Sequence, residues 1–228
     1  MKRFTVFLAA ILFLAIPQAQ AGSFKTDKQK FGYFVGMQMG LELKELGIDV
    51  DLDSFVAAVK DAVGEKKFKM TPDEAQATKQ LLQQEVRASH AKRKSAMGEQ
   101  NLKEGAAFLA KNKSAKGVTT TASGLQYQVL AKGKGPKPTA TDNVTVHYRG
   151  TLLDGTEFDS SHKRNKPISF RLDQVIPGWS EGVQLMNTGA KYRFFIPSEL
   201  GYGARGAGGV IGPNATLIFD VELIEIGK

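Results

Sequence analysis

The chain has 228 residues, 42% hydrophobic and 24% charged, with a formal charge of +8. This is the composition of a globular protein, not of a disordered or fibrous one, and a basic excess this mild and dispersed argues against a nucleic-acid partner. Cysteine is absent, so no disulfide forms and no thiolate is available as nucleophile, metal ligand or lipid carrier.

Lys2 and Arg3 precede the apolar run FTVFLAAILFLAI, residues 4–16, which is too short to span a bilayer. Ala19-Gln20-Ala21 then supplies the small-x-small pattern of a cleavage site. The expectation is a signal peptide over residues 1–21, cleaved near Ala21, rather than a membrane anchor. No later stretch approaches a membrane span, and a soluble protein of the bacterial periplasm fits best.

Residues 22–70 carry a helical pattern. FGYFVGMQMGLELKELG, residues 31–47, places Phe31, Phe34, Val35, Met39, Leu43 and Leu46 toward one face, and Gly47 is a stop. Asp53 or Ser54 is expected to cap a second helix ending at Gly64. The crowding of Phe31, Tyr33, Phe34, Met37 and Met39 makes a thin core for one copy. Leaving several of these side chains wet is costly at about 25 cal/mol per Å². Dimerisation through this region is the expectation, and a self-contained helical hairpin folded back on the long helix is the alternative. DVDLD, residues 49–53, echoes the start of a calcium loop, but Ser54 stands where the loop needs glycine and Lys60 where it needs glutamate.

Thr71-Pro72-Asp73-Glu74 reads as a helix start with proline at the first helical position. Helical composition continues toward Lys113, and residues 71–117 are read as a long linker helix. Arg87 to Lys94 is almost wholly polar, so the helix is expected to be a solvent-exposed stalk. Gly98 and Gly105 are possible breaks in it.

Residues 118–228 change character to short strands with Gly and Pro between them. Strands are expected over residues 125–130, 143–153, 156–159, 168–172, 191–196 and 216–226. Asp154-Gly155 marks a hairpin, and a short helix runs from about Ser180 to Met186. The fold class is α+β: an antiparallel sheet with one short helix, preceded by an all-α region.

Within GYGARGAGGVIGPNATLIFDVEL, residues 201–223, the glycines Gly201, Gly203 and Gly206 spell the spacing of a dinucleotide loop, with Asp220 where the ribose acid would stand. That motif needs a helix directly after the glycines, to meet the pyrophosphate. Further glycines and Pro213 forbid one here, and strand-like alternation follows, so nucleotide binding is rejected. His90, His147 and His162 show no metal-ligand spacing, and His147 reads as a sheet-packed histidine. No metal and no cofactor is expected.

VHYRGTLLDGTEFDSS (146–161), VIPGWSEGVQLM (175–186) and the glycine loop with its following strand resemble the FKBP-type peptidyl-prolyl cis-trans isomerases. The resemblance runs from about Gly124 to the C-terminus. GIDVDLDSF, the long helix and the SGLQYQVL junction resemble the FkpA and Mip group of exported bacterial isomerases.

The resemblance implies a twisted half-barrel sheet around the short helix, with an apolar pocket for the proline ring of an X-Pro peptide. Trp179 would be the pocket floor, and Tyr148, Phe158, Val175, Ile176, Ile211 and Phe219 its walls. Tyr202 would reach over the pocket with its hydroxyl, Asp159 would be a polar group at the edge, and the Ile176 amide would donate to a peptide carbonyl. Asp159, Tyr202 and Tyr148 are the expected catalytic set. Ile168 departs from the aromatic many members carry, and Gly212 precedes Pro213 where Pro-Pro is common, which suggests a looser wall and a more mobile loop. The implied partners are proline-containing unfolded polypeptides, a second copy of the chain, and the macrolides tacrolimus and rapamycin. The alternative function is a dimeric periplasmic chaperone in which isomerisation is secondary. Association with the outer-membrane surface and a virulence role rest only on the Mip likeness.

Overall fold

The structure is a computed structural model that describes residues 24–227; the expected signal peptide lies outside them. The chain divides into two compact units at Thr71 and Pro72.

The first unit contains α1 (Asp27–Leu46) and α2 (Leu52–Val63). α1 begins four residues earlier than its apolar pattern suggests, because Thr26 caps it. The Thr26 hydroxyl accepts from the Gln29 amide, and the Gln29 side chain accepts from the Thr26 amide. Gly47 ends it as expected, in the left-handed region at φ 68°, and Ile48 N–H reaches back to the Leu43 carbonyl. α2 is capped by Asp51, not by Asp53 or Ser54: the Ser54 amide donates to Asp51 Oδ1 at 2.8 Å. The helix starts at Leu52, so Asp53 falls in the first turn, where its charge suits the helix dipole. Neither helix has a buried residue.

The second unit begins with α3 (Pro72–Asn112), 41 residues without interruption. It is followed by β1 (Val118–Thr120), β2 (Gln126–Ala131), β3 (Asn143–Thr151), β4 (Glu157–Ser160) and β5 (Ile168–Arg171). The short helix α4 (Pro177–Gln184), β6 (Lys191–Ile196) and β7 (Leu217–Gly227) complete it. α4 starts three residues before the sequence expectation, because Pro177 occupies its first turn. The strands form one antiparallel sheet in the order β1-β2-β6-β7-β3-β4, with β5 also on β3. β5 pairs with the first half of β3 (Asn143–Val146) and β4 with the last residues (Arg149–Thr151). β1 was not expected; it is three residues of a Val-Thr-Thr run paired with β2.

The core lies between the sheet and α4, where Val183 and Met186 meet Val144, Phe194, Leu217 and Val221. The outer face of the sheet carries charged residues, Arg149, Arg193 and Asp220 among them. Asp220, which stands where the rejected dinucleotide motif would place its acid, forms a two-pronged pair with Arg193 directly across on β6, at 2.6 and 2.7 Å.

The far end of α3 corrects the stalk reading. Gly98 and Gly105 are its buried residues. A Cβ at Gly105 would meet the Thr216 hydroxyl, so the glycine is what lets the helix lie this close to the sheet domain. Phe108 packs on Phe195 at 5.8 Å between ring centroids, and Asn112 donates to the Gln126 side chain, whose own amide donates to the Leu109 carbonyl. Gly98, Asn101, Gly105, Phe108 and Asn112 recur at alternating intervals of three and four, the repeat of one helix face.

Candidate active site

A cavity of about 490 Å³ opens at the edge where β3, β4 and β5 meet. All nine residues expected from sequence line it: Tyr148, Phe158, Asp159, Val175, Ile176, Trp179, Tyr202, Ile211 and Phe219. They come from β3, β4, the turn into α4, α4 itself, the glycine loop and β7, so only the folded domain brings them together.

Trp179 sits at the first turn of α4, 5% exposed, and the other rings are arranged around it. Tyr148, Phe170 and Phe219 approach it at centroid distances of 5.3, 5.3 and 5.1 Å, each steeply inclined to the indole plane. Phe158 stands edge-on to Phe219 at 5.3 Å. Edge-to-face contacts of this kind are each worth about 0.5–1.5 kcal/mol beyond area burial and hold the rings rigidly. Trp179 Nε1 is buried with no hydrogen-bond partner among the described residues.

One polar cluster interrupts this apolar lining. The Tyr148 hydroxyl donates to Asp159 Oδ2, and Arg164 donates to Asp159 Oδ1 at 2.6 Å and to the Tyr148 oxygen at 2.8 Å. The Ser160 amide adds a bond to Asp159 Oδ1 at 2.8 Å. Burial works to raise the Asp159 pKa, but the Tyr148 hydroxyl, Arg164 and the Ser160 amide outweigh it, and the carboxyl titrates below its ordinary value. Burial, then the Asp159 acceptor, push the Tyr148 phenol up to about 12. Tyr202, the most exposed of the rings at 39%, is raised by burial and by the charge of Asp159.

The glycine loop closes the mouth. Ala207 and Ile211 exchange both backbone hydrogen bonds, at 2.9 and 3.0 Å, and make a small hairpin. Gly206 lies at φ 68°, and a Cβ there would strike the Ile211 carbonyl. These glycines serve a tight turn, and no helix follows them. The loop is also more firmly held than the Gly212-Pro213 departure suggested. Asn101 Nδ2 donates to the Pro213 carbonyl at 2.7 Å, Asn214 Nδ2 to the Gly98 carbonyl at 3.3 Å, and the Asn214 amide to the Gly203 carbonyl at 2.8 Å.

A family model described as FKBP-type peptidyl-prolyl cis-trans isomerase matches residues 135–224, and one described as the domain amino-terminal to it matches residues 28–129. The outer membrane protein MIP of Legionella longbeachae is 41% identical over 224 residues, covering 96% of each chain. The chain belongs to the FKBP-type peptidyl-prolyl cis-trans isomerases. The isomerase Mip of Coxiella burnetii is 40% identical over 229 residues, covering 100% of both chains. Among solved structures, the crystal structure of FkpA from Escherichia coli is similar, with a TM-score of 0.74, 42% identity, and coverage of 90% of this chain and 98% of that one.

Several features in and around this isomerase's cavity escaped the sequence reading. Arg164 lies in a 3₁₀ turn, five residues after Asp159, with nothing in HKRN to single it out. Phe170 and Ile168 line the cavity from alternate positions of β5, so Phe170 supplies the aromatic wall that Ile168 alone does not. Val210 reaches the cavity from the tip of the loop hairpin. His147 is not simply packed in the sheet: it stacks on His162 at 4.7 Å, and its Nδ1 lies 2.9 Å from the Ser161 hydroxyl.

Proposed function

We propose that the Trp179 cavity is where this isomerase binds the proline of an X-Pro bond and rotates it. The observation that carries this is the convergence of nine residues from separate elements on one aromatic-lined cavity with a single polar cluster at its side. Isomerisation breaks no covalent bond. Its barrier of about 18–20 kcal/mol comes from amide resonance, which is strongest in the planar, charge-separated form. An apolar cavity removes water that would stabilise that form, and so favours the twisted amide by comparison. Trp179 receives the ring face, and Phe158, Val175, Ile211 and Phe219 confine it. The Ile176 amide and the Tyr202 hydroxyl hold the flanking carbonyls as the bond turns. Asp159, kept ionised, fixes the Tyr148 ring against Trp179. Tighter binding of the twisted form than of either planar form lowers the barrier.

Trp179 is the only tryptophan of the chain. Tacrolimus or rapamycin seated in this cavity is therefore expected to change the intrinsic fluorescence and to inhibit turnover of an X-Pro peptide with the same midpoint. Inhibition with no change in fluorescence would count against the assignment.

The substrates under this reading are unfolded exported proteins, and the location is the periplasm. The residue 1–21 pattern and the likeness to a protein named for the outer membrane support this. Among the described residues no helix is long and apolar enough to cross a membrane. Residues 22–70 serve to pair two copies. Phe31, Tyr33 and Phe34 are 69%, 62% and 47% exposed in one copy, and isolated short helices with this much wet aromatic surface need a partner. Replacing Phe31 and Phe34 by glutamate is expected to halve the solution mass. An unchanged mass would reject this pairing surface. A holding role for unfolded chains is the second reading, supported by the same exposed side chains.

A further inference from the structure

A second groove of about 300 Å³ lies beside the cavity, between α3 and the turn after β3. Met97, Leu152, Leu153 and Val210 give it apolar walls, and Glu104 and Asp154 are its charged residues; no lysine or arginine lines it among the described residues. Val210 lines both spaces, so the groove and the cavity share a wall. Asn101, which also lines it, donates to the Pro213 carbonyl. Glu104 takes the Gln100 amide on Oε1 at 2.5 Å, and Asp154 takes the Thr156 amide on Oδ1 at 2.9 Å. Among the described residues neither carboxylate is in an ion pair with a lysine or arginine.

We propose that this groove is a second subsite for the polypeptide whose proline occupies the Trp179 cavity, and that it takes a lysine or arginine next to an apolar side chain. The inference rests on the proline-pocket reading. An extended chain advances about 3.3–3.6 Å per residue, so a groove that shares a wall with the cavity is reached within about two to four residues of the proline. The apolar walls suit an aliphatic side chain. The two carboxylates, with no cation among the lining residues, favour a basic neighbour and disfavour an acidic one. The linker helix thereby contributes to substrate choice as well as to spacing.

The test uses the full chain and proline peptides of two kinds. One is a short X-Pro tetrapeptide. The other is longer and carries Lys-Leu or Glu-Leu three residues from the proline, on its N-terminal side in one pair and its C-terminal side in the other. Wild type is expected to turn over one Lys-Leu peptide about two- to fivefold faster, by kcat/KM, than its Glu-Leu partner, with the preference fading as salt is raised. Glu104→Gln is expected to remove most of that preference through KM, and Leu153→Ser to lower turnover of the long peptides, while both variants keep wild-type turnover of the tetrapeptide. Equal turnover of Lys-Leu and Glu-Leu peptides by wild type, or a preference intact in Glu104→Gln, would overturn the proposal. A wild-type protein that leaves the tetrapeptide at its spontaneous rate would overturn the pocket reading, and the subsite with it.

Discussion

The guanidinium of Arg164 closes on the carboxylate of Asp159, with Nη1 2.6 Å from Oδ1, while its Nη2 reaches the Tyr148 oxygen that also binds that carboxylate. The three groups form a ring of hydrogen bonds in which each orients the other two, and the guanidinium carbon lies 5.8 Å from the Tyr148 ring centre. Arg164 and Asp159 are 48% and 42% exposed at their side chains, so the pair adds little to global stability. Its effect is on position. Arg164→Ala is expected to lower kcat/KM on an X-Pro peptide about two- to fivefold, with melting temperature nearly unchanged. Arg164→Lys should recover only part of the loss, because it cannot bridge both oxygens.

The same ring fixes the pH dependence. Asp159 has its folded pKa depressed below 3.8, so its stabilising contribution is present above that value and is lost as pH falls through the lower one. Tyr148 has its folded pKa raised from 10.0 to about 12, so its contribution is present below 10 and is lost as pH rises toward 12. Neither group titrates between. Turnover measured with a pH-insensitive coupling assay is expected to show no step from Asp159 or Tyr148 between pH 5 and 9, as the Asp159 pKa lies below 3.8 and the Tyr148 pKa at about 12. Asp159→Asn should abolish the additional loss of stability below pH 4.

Gly105 separates two opposed effects. Alanine in place of glycine inside a helix ordinarily stabilises by about 1 kcal/mol. Here the added methyl meets the hydroxyl of Thr216, which is 5% exposed. Overpacking of that kind costs about 1–3 kcal/mol, so Gly105→Ala is expected to destabilise the second unit, read as a lower urea midpoint. Adding Thr216→Ala should restore it, and a double-mutant cycle measures the coupling.

The fold of the C-terminal half was largely legible because its strands alternate cleanly and its turns carry Asp-Gly and Pro-Gly, signals that depend only on neighbouring residues. The site was legible through a resemblance, since Tyr148 and Phe219 are far apart in sequence and meet only across the β3–β7 pairing. The docking face of α3 was not. Its stripe is Gly98, Asn101, Gly105, Phe108 and Asn112, and a search for apolar periodicity passes over glycine and asparagine. That face is built for closeness and for hydrogen bonds to loop carbonyls, not for burying hydrocarbon. The Asp51 cap was misplaced because DVDLD offers several acids in register with a helix start, and only the backbone decides among them.

Protease-coupled isomerisation of a short X-Pro peptide, with wild type and Asp159→Ala side by side, tests the pocket assignment most directly. The assignment predicts that wild type accelerates the cis-to-trans step and that Asp159→Ala loses about tenfold or more in kcat/KM, because Tyr148 is no longer held in the geometry that favours the twisted amide, while keeping its fold by circular dichroism. Wild-type turnover by a folded Asp159→Ala protein would contradict it.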